Sequence, residues 1–472
     1  MRPKFKKIGA VALAGALTTT ALLSSGITKA EEDIKASYKT NNRTPENVIL
    51  LIGDGMGSNQ VSAASYIKGE GYGSGQLTMN QFENVGLAKT FSHDNTVTDS
   101  AAAATAFSAG HKTDNGVLGQ APKQKEHTEH EQHFDVKTVL ESAEDKDKST
   151  GLVTTARITH ATPAAFASHI DDRNKENEIA VQMLNHGVEV LLGGGKRQFI
   201  SKAEGGKRTD SKDLLQVAKE KGYTYVDDKS SLEKTKGDKL LGLFNNSHMT
   251  WELDRELTDE PALSKMTSKA IDTLEDDKDG FFLMVEGGRI DHAGHANLPA
   301  ANIHETLAFD AAVKEALEFA KKDKNTLVIV TADHETGGMS IGANGTYGFN
   351  KDVIRNVTRS AEFIGAKINV EKSNIQEVMS QFTGIKDLTE KEIQAIKNAE
   401  NSASGVAKVI SDRALIGWTT TGHTAVDVPV YSYGPQSEKF TGTINNTLIA
   451  EVIHDTIVKG NDEENEDNNE RD

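Results

Sequence analysis

The sequence has no cysteine among its 472 residues. This absence excludes disulfide bonds, thiolate zinc sites and cysteine nucleophiles, so any metal ion must be held by histidine, carboxylate and hydroxyl side chains. Basic residues are also in the minority, with 53 lysines and arginines against 70 aspartates and glutamates and a formal net charge of −17. Such an acidic protein is a poor partner for nucleic acids and anionic membranes, but it suits multivalent cations.

No apolar run in the sequence reaches the length of about 20 residues that a transmembrane helix needs. The most apolar stretch, Ile8 to Leu23, is short and is interrupted by three threonines. It follows a basic segment that begins at Arg2, and small residues lead to Ala30, which is typical of a secretory signal peptide. We therefore predict a signal peptide over residues 1–30 and a secreted, extracellular protein without a stable membrane anchor.

Apolar runs that end in glycine, acidic or histidine residues alternate with helical patterns along the chain. Each run is short enough for one strand, and the segments between them place apolar residues three and four positions apart, as amphipathic helices do. The runs are 47–57, 150–155, 188–195, 280–288 and 326–338. This alternation predicts an α/β fold with a central, mainly parallel sheet flanked by helices on both faces. In such sheets, ligands bind beyond the carboxyl ends of the strands.

The same pattern predicts one α/β domain over residues 45–458. Residues 340–417 interrupt the alternation before the apolar run 428–433, so we predict an inserted subdomain there. Residues 196–260 are more polar, which predicts surface loops with one or two helices. The tail 460–472 is strongly acidic and is predicted to be disordered.

The stretch VTDSAAAATAFSAG, residues 97–110, places the hydroxyl of Ser100 in front of an alanine-rich helix. Asp99 and Ser100 stand where a helix N-cap is expected, and alanine is the strongest helix former. The simple interpretation is a capping turn before a buried helix. The functional interpretation is a nucleophile, because the backbone N–H groups and the dipole at a helix N-terminus stabilise an oxyanion or a phosphate. The local sequence favours the first interpretation and leaves the second open.

Side chains that can bind metals are concentrated where the predicted strands end. They are Asp54, Thr162, Glu286, Asp291, His295, Asp333, His334 and His423. Asp291 and His295 alone could form an ordinary polar loop, but charged residues that end a buried strand, such as Asp333 and His334, are seldom left without a partner. Histidine with carboxylate suits zinc, and an all-oxygen set suits magnesium. Two such cations about 4 Å apart can promote phosphoryl transfer.

Six motifs in one order along the chain carry a specific resemblance. They are IGDGMG (52–57), VTDSAAAATAFSAG (97–110), THATPAAFASH (159–169) with Arg173 after it, VEGGRIDHAGH (285–295), VTADHETGG (330–338) and TGHT (421–424). Together they resemble the alkaline phosphatase family, across nearly the whole chain outside residues 1–30 and 340–417. The resemblance implies an enzyme that hydrolyses small phosphate monoesters to an alcohol and inorganic phosphate. It also implies an alkaline phosphatase-like α/β fold with a crown-like inserted subdomain.

The resemblance further implies the roles of individual residues. Ser100 would be the catalytic nucleophile that becomes phosphorylated, and Arg173 would bind two phosphate oxygens through its planar guanidinium group. Two Zn²⁺ and one Mg²⁺ would be the cofactors. The implied ligands are Asp291, His295 and His423 for one zinc, Asp54, Asp333 and His334 for the other, and Thr162 and Glu286 with bridging Asp54 for magnesium.

Two positions depart from the best-known bacterial pattern of the family. His160 stands in place of an aspartate beside the magnesium ligand Thr162, and His292 stands in place of a lysine near the phosphate. Because an imidazole weakens the preference for magnesium, Zn²⁺ or Co²⁺ is an alternative in the third site, with His160 beside it. His292 is expected to contact the phosphate and, since it is uncharged at alkaline pH, to hold the product less tightly than a lysine would.

Two other functions stay open from the sequence. A phosphodiesterase or a sulfatase could use the same scaffold, although a serine nucleophile with Arg173 favours a dianionic monoester. A non-catalytic protein that binds metal or phosphate would need the ligands without the nucleophile, which Ser100 disfavours. The acidic composition predicts no nucleic-acid partner. Members of the family are often dimers, so a homodimer also stays open.

Overall fold

The apolar runs of the sequence form neighbouring strands of one ten-stranded sheet. The structure is a computed structural model, and it describes residues 44–123, 132–210 and 212–459. The predicted signal peptide and the predicted acidic tail lie outside the described residues. The strands are β1 (Asn47–Ile52), β2 (Asn84–Lys89), β3 (Gln120–Pro122), β4 (His133–Asp135), β5 (Ser149–Arg157), β6 (Val190–Gly194), β7 (Thr224–Val226), β8 (Leu240–Leu243), β9 (Phe281–Glu286), β10 (Thr326–Thr331), β11 (Glu335–Thr336), β12 (Met339–Ile341), β13 (Ile416–Trp418), β14 (His423–Thr424), β15 (Val428–Tyr433) and β16 (Gly442–Asn445).

The order of strands across the large sheet is β16, β2, β15, β10, β1, β9, β5, β6, β8 and β7. Within the described ranges, β15 is the one strand of this sheet that runs antiparallel to its neighbours. Every residue of β1, β9 and β10 is buried. Since successive side chains of a strand point to opposite faces, both faces of the sheet are covered. The prediction of a mainly parallel α/β fold flanked by helices is confirmed.

Helices connect and cover these strands. The α-helices are α1 (Ser58–Lys68), α2 (Ser100–Ala109), α3 (Val139–Glu144), α4 (Ala161–Ala167), α5 (Glu176–His186), α6 (Leu214–Glu220), α7 (Lys229–Lys234), α8 (Leu263–Leu274), α9 (Arg289–His295), α10 (Pro299–Asp323), α11 (Lys351–Arg355), α12 (Ala361–Lys367), α13 (Ile375–Thr383), α14 (Glu390–Asn398), α15 (Ser402–Ala414) and α16 (Thr447–Lys459). Met266, Ala270 and Leu274 are buried at four-residue spacing, so α8 presents one apolar face. This helix packs against the long helix α10.

The register of the sheet brings the carboxyl ends of several strands together. Ile52, at the end of β1, pairs with Thr331 at the end of β10 and with Glu286 at the end of β9. Thr154 of β5 also pairs with Glu286. Because parallel strands end at the same edge of a sheet, the residues that follow Ile52 and Thr331 lie beside Glu286.

Two segments add to this simple alternation. Residues 196–260, predicted as surface loops with one or two helices, also contain β7 and β8, whose short apolar stretches are concealed by polar neighbours. Residues 340–417 run from within β12 to within β13, which pair with each other antiparallel, and contain α11 to α15. This segment therefore leaves and rejoins the fold at one place, although its status as an insertion stays a prediction. Among the described residues, no helix has the length and apolar character needed to cross a membrane.

Candidate active site

The turn after β1 carries Asp54 into the centre of the candidate site. Gly55 has a φ of +73°, and a Cβ atom there would come within 2.8 Å of the backbone of Asp291. A residue with a side chain is strained by both conditions, whereas glycine meets them without cost. Asp333 accepts a hydrogen bond of 3.0 Å from the backbone N–H of Gly55, which joins the turn to the end of β10. The IGDGMG motif thus brings three distant carboxylates together.

Asp291, His295 and His423 form a first group whose potential ligand atoms lie within 4.8 Å of one another. The Nε2 atoms of His295 and His423 lie 3.3 Å and 3.5 Å from Oδ1 of Asp291. Their Nδ1 atoms lie 2.6 Å and 2.8 Å from the backbone carbonyl oxygens of Thr421 and Thr98. Since a carbonyl only accepts, Nδ1 carries the proton of each neutral ring and Nε2 presents a lone pair, as a metal requires.

His334 and the aspartates form a second group beside the first. The ligand atoms of Asp54, Asp291 and His334 lie within 4.8 Å of one another. Oδ2 of Asp333 lies 3.2 Å from Nε2 of His334. The rings of His334 and His423 stack with their centroids 3.6 Å apart, so the two groups are in contact. The structure brings together all six residues predicted to hold the two zinc ions.

Asp54, His160 and Glu286 form a third group with ligand atoms in the same range. Glu286 accepts a hydrogen bond from the hydroxyl of Thr154, which orients its carboxylate. Thr162 lies two residues after His160, in the first turn of α4. Asp54 belongs to both the second and the third group, which is the position that a bridging ligand needs.

The buried atoms of these groups have unmet hydrogen-bond capacity, which fits bound metal ions. In the described part of the chain, the atoms without a partner include both carboxylate oxygens of Asp54, Oδ2 of Asp333, Oε1 of Glu286, Oγ1 of Thr162 and Nδ1 of His160. Burial raises the pKa of Asp54 well above its usual value, and the charges of neighbouring carboxylates add to this effect. The same causes raise the pKa of Glu286 to about 7 and that of Asp333 to about 6. Divalent cations supply the counter-charge that such a cluster lacks.

Ser100 is the first residue of α2, and Asp99 is the N-cap of that helix. The carboxylate of Asp99 accepts a hydrogen bond of 3.0 Å from the backbone N–H of Ala102. The hydroxyl of Ser100 is not used for capping, and its Oγ lies 3.2 Å from Nε2 of His334. The two interpretations of this stretch are therefore compatible, because Asp99 caps the helix while Ser100 faces the metal-binding group.

Arg173 is held from two sides next to this helix end. Its Nη1 donates a hydrogen bond of 2.9 Å to Oδ2 of Asp99, and its Nη2 lies 3.2 Å from Nε2 of His160. Asp99 thus caps the helix of Ser100 and positions Arg173 at the same time. Sequence reasoning missed this second role of Asp99, since the two residues are 74 positions apart and no local pattern joins them.

Three histidines form a cluster beside Arg173. The ring centroids of His248 and His292 lie 4.1 Å apart, and each lies 5.6 Å from the centroid of His160. Burial lowers the pKa of His292 to about 3, and the positive charge of Arg289 contributes to this shift. Burial and the charge of Arg173 likewise hold the pKa of His160 well below its usual value. The imidazoles are therefore neutral and lie among arginines.

His248 is the residue of this cluster that the sequence did not predict. It follows β8, so the rule that ligands gather beyond strand ends could have identified it. The polar composition of residues 196–260 concealed that strand. Its ring contacts the guanidinium of Arg157, which also donates a hydrogen bond of 2.8 Å to Glu176.

Similarity to known proteins agrees with this geometry. A sequence model of the alkaline phosphatase family matches residues 45–458. The chain belongs to the alkaline phosphatase family. Alkaline phosphatase 3 of Bacillus subtilis (strain 168) is 41% identical over 466 residues, which cover 95% of this chain and 96% of that protein.

Solved structures of the family have the same fold. The cold-active alkaline phosphatase from the psychrophile Shewanella sp. has a TM-score of 0.78 at 34% identity, covering 87% of this chain and 99% of that chain. A mutant of TAB5 alkaline phosphatase, in which a histidine is replaced by glutamate and Mg is bound in the M3 site, has a TM-score of 0.64 at 34% identity, covering 89% and 99%. The prediction of a phosphomonoester hydrolase of this metal-dependent family is confirmed.

Proposed function

We propose that the chain hydrolyses phosphate monoesters in two displacement steps through a phosphoserine at Ser100. The observation that carries this proposal is the position of Ser100 in the first turn of α2, with Oγ 3.2 Å from His334 and with Arg173 bound to the neighbouring Asp99. Backbone N–H groups at a helix N-terminus favour the negative charge of the attacking oxygen and of the phosphoryl group. A nucleophile and a phosphate-binding cation thus meet at one helix end.

In the first step, the oxygen of Ser100 attacks phosphorus, the P–O bond to the alcohol breaks, and the alcohol takes up a proton as Ser100 gives one to solvent. In the second step, a water oxygen attacks the phosphoserine, the P–Oγ bond breaks, and Ser100 regains its proton as inorganic phosphate leaves. Arg173 binds two phosphate oxygens throughout, oriented by Asp99 and His160. Since phosphate monoesters react extremely slowly in water, stabilisation of charge must supply most of the catalysis.

We propose two Zn²⁺ and one Mg²⁺ as the cofactors of this reaction. The proposed ligands are Asp291, His295 and His423 for the first zinc, Asp54, Asp333 and His334 for the second, and Asp54, Thr162 and Glu286 for magnesium. Bound there, the cations lower the pKa of oxygen nucleophiles and neutralise charge on the phosphoryl and leaving oxygens. The unpaired buried oxygens of Asp54, Asp333 and Glu286 support this assignment, because a bound cation would supply the partner that each lacks.

His160 bears on the identity of the third metal ion. Its ligand atom lies within 4.8 Å of those of Asp54 and Glu286, so one nitrogen joins an oxygen-rich group. Nitrogen ligands favour zinc or cobalt over magnesium. In the TAB5 relative, magnesium occupies the M3 site after a histidine is replaced by glutamate. By that example, we propose that Zn²⁺ or Co²⁺ competes with Mg²⁺ beside His160.

We further propose that His292 lines the phosphate site as a neutral group. It lies against His160, which contacts Arg173, and its pKa is lowered to about 3. A neutral imidazole donates a hydrogen bond to phosphate but adds no charge, so the product is released more readily than from a lysine at this place.

Two proposals concern the protein as a whole. Export is proposed from the basic and apolar pattern of residues 1–30, and the mature N-terminus of the secreted protein, read by sequencing, checks it. A homodimer is proposed because members of the family are often dimers, and the mass measured by light scattering checks it.

The substitution Ser100→Ala tests the proposed mechanism. The variant should form no covalent phosphoenzyme and should lose kcat/KM for p-nitrophenyl phosphate by about a thousandfold or more. Its zinc content should match the unmodified enzyme, because no proposed ligand is removed. The matched control is Ser62→Ala on α1, which should retain full activity.

The covalent phosphoenzyme is measured by acid quench of the enzyme mixed with radiolabelled phosphate. The substrate class is tested by the rates of hydrolysis of the p-nitrophenyl monoester, the bis-ester and the sulfate. Label retained on the Ser100→Ala variant would exclude Ser100 as the nucleophile. A higher kcat/KM for the bis-ester or the sulfate than for the monoester would contradict the proposed substrate class and favour the phosphodiesterase or sulfatase alternatives.

A further inference from the structure

A second group of side chains that can bind a metal lies outside the active site. Glu141, His169 and His186 present ligand atoms within 4.8 Å of one another. Glu141 belongs to α3, His169 follows the end of α4, and His186 is the last residue of α5. Because Thr162 is the second residue of α4 and His169 comes two residues after its last residue, the group lies at the opposite end of this helix from the active site. None of the three residues has a role in the proposed reaction.

The ring of His169 is oriented by the backbone. Its Nδ1 lies 2.6 Å from the carbonyl oxygen of Gly119. A carbonyl only accepts, so Nδ1 carries the proton of the neutral ring and Nε2 presents a lone pair. That Nε2 lies 2.9 Å from Oε1 of Glu141, which is also an acceptor when ionised. With a neutral ring, two lone pairs would face each other there, so either a proton or a metal ion must lie between them.

The carboxylate of Glu141 is oriented by its own helix. Glu141 is the third residue of α3, and its Oε2 accepts a hydrogen bond of 2.8 Å from the backbone N–H of Thr138. The hydroxyl of Thr138 accepts from the backbone N–H of Glu141 in return, which completes a capping box. One oxygen of Glu141 is therefore occupied and the other, Oε1, is directed to both histidines, with Nε2 of His186 at 3.8 Å.

His186 completes the group in a similar manner. While its Nε2 faces Glu141, its Nδ1 lies 3.7 Å from Oε2 of Glu144, one turn further along α3. A histidine that binds a metal with one ring nitrogen commonly donates the proton of the other to a carboxylate or a backbone carbonyl. His169 has this arrangement with Gly119, and Nδ1 of His186 faces the carboxylate of Glu144 at ion-pair distance.

The spacing and surroundings of the group fit a small cation. Ligands at about 2.1 Å from a tetrahedral zinc ion are about 3.4 Å apart, and the distances of 2.9 Å and 3.8 Å to Oε1 of Glu141 bracket that value. A depression of about 510 Å³, lined by these residues together with residues 135–137 and Asp145, leaves room for water at the remaining positions. We propose that Glu141, His169 and His186 form a surface zinc site, separate from the active site, with Glu144 orienting His186.

An ion pair between protonated His169 and Glu141 is the alternative to a metal. Burial lowers the pKa of His169, but its hydrogen bonds to Glu141 and Gly119 reverse this effect and raise the pKa above its usual value. A set of two nitrogen ligands and one carboxylate oxygen binds zinc in preference to magnesium or calcium. At about pH 8, where an imidazole gives up its proton readily, zinc and the proton can be told apart by experiment.

A metal at this place would join three parts of the chain. His169 is followed by Ile170, whose backbone pairs with Leu118, and by Arg173, whose backbone N–H donates a hydrogen bond of 2.8 Å to Gly116. The zinc would connect this segment to α3 and to the end of α5. Its expected effect is on the stability of the folded protein rather than on the chemical step.

The test compares the zinc-saturated and magnesium-saturated enzyme with its His186→Gln variant at about pH 8, at equal free zinc. We expect the unmodified enzyme to hold about one more zinc ion per chain than the variant, by elemental analysis. Its thermal midpoint should also rise with free zinc over a range in which the variant does not respond. Glu144→Gln should retain the ion with an affinity lower by about tenfold or more.

The exposed residue His111 provides the matched control, because His111→Gln removes one surface imidazole without touching the group. This control should retain the zinc content and the thermal response of the unmodified enzyme, and turnover of p-nitrophenyl phosphate at saturating metal should be equal in all of these proteins. Equal zinc content in the unmodified enzyme and in His186→Gln would overturn the proposal and leave the ion pair as the explanation. An equal loss of zinc in His111→Gln would overturn it as well, by showing unspecific binding.

Discussion

The two sides of the active site favour ligands of opposite charge. One side, which we name the carboxylate side, consists of Asp54, Glu286, Asp291 and Asp333. Burial and mutual repulsion raise the pKa of Asp54 well above its usual value, that of Glu286 to about 7 and that of Asp333 to about 6. Burial alone would raise the pKa of Asp291, but the histidines around it, first of all His423, hold that pKa well below its usual value. The carboxylate side therefore needs cations.

The other side, which we name the imidazole side, consists of His160, His248 and His292. Burial lowers the pKa of each of these histidines, and nearby positive charges contribute. The groups that face them include the guanidinium of Arg173, which Asp99 holds in place. This side therefore suits an anion.

One buried edge of the sheet thus offers a site for cations beside a site for an anion. Burial disfavours the charged form of acids and bases alike. The ionised carboxylates therefore require bound cations, and the imidazoles stay neutral. Contacts from His160 to Arg173, from Arg173 to Asp99 and from Ser100 to His334 join the two sides. Ser100 stands where the cations of one side and the phosphate of the other would meet.

The largest effect in this comparison is expected from removal of the fixed cation of the imidazole side. Arg173→Ala should lower kcat/KM for p-nitrophenyl phosphate by about a hundredfold to a thousandfold, because two charge-assisted hydrogen bonds to the phosphate are lost. Arg173→Lys should restore only about a tenth of the activity or less, since a lysine cannot bind two oxygens at once. Arg355→Ala, an exposed arginine on α11, is the control. A loss of less than about tenfold in Arg173→Ala would argue against a phosphate-binding role.

The second effect is an opposite pH dependence of stability in the metal-free enzyme. The pKa of Glu286 is raised from 4.5 to about 7, so its ionisation destabilises the fold as pH rises through that range. The variant Glu286→Gln should therefore gain stability relative to the unmodified enzyme as pH rises, on the order of 3 kcal/mol.

The pKa of His292 is lowered from 6.5 to about 3, so its protonation favours the unfolded chain as pH falls through that range. The variant His292→Gln should therefore gain stability relative to the unmodified enzyme as pH falls. Urea unfolding across pH measures both. If the relative stability of both variants grew in the same direction of pH, the opposite effects of burial on the two groups would be refuted.

The smallest effect concerns product release. His292→Lys adds a fixed positive charge to the imidazole side, so inorganic phosphate should bind about tenfold more tightly at alkaline pH and turnover there should fall. The inhibition constant for phosphate and the value of kcat measure the two consequences. The exposed substitution His111→Lys controls for the added charge. If both constants stay unchanged in His292→Lys, the histidine has no part in product release.

Sequence reasoning could predict the carboxylate side almost completely. Asp54, Glu286, Asp333 and His334 end or directly follow apolar runs, and parallel strands place such positions at one edge. The runs 47–57, 280–288 and 326–338 became β1, β9 and β10, which are neighbours in the sheet. The chemistry of these residues and their location therefore follow from one pattern.

The imidazole side was predicted only in part. His160 and His292 were expected from their places in the motifs, but the contact of both with His248 was not. His248 follows β8, whose four residues are too few to stand out from a polar segment. The bond between Asp99 and Arg173 also depends on the folded chain, because the residues lie 74 positions apart. Short strands and long-range side-chain contacts are what the linear pattern cannot supply.

The metal content of Asp54→Asn shows whether the buried carboxylates hold the cations of this site, because Asp54 contributes to two of the proposed ligand groups. Asp310→Asn is a matched control, since this buried aspartate accepts hydrogen bonds from the backbone of Thr78 and Met79 outside the site. We expect Asp54→Asn to hold about two fewer metal ions per chain than the unmodified enzyme, with Asp310→Asn unchanged. A full complement of metal ions in Asp54→Asn would show that the carboxylate side does not hold the metal ions.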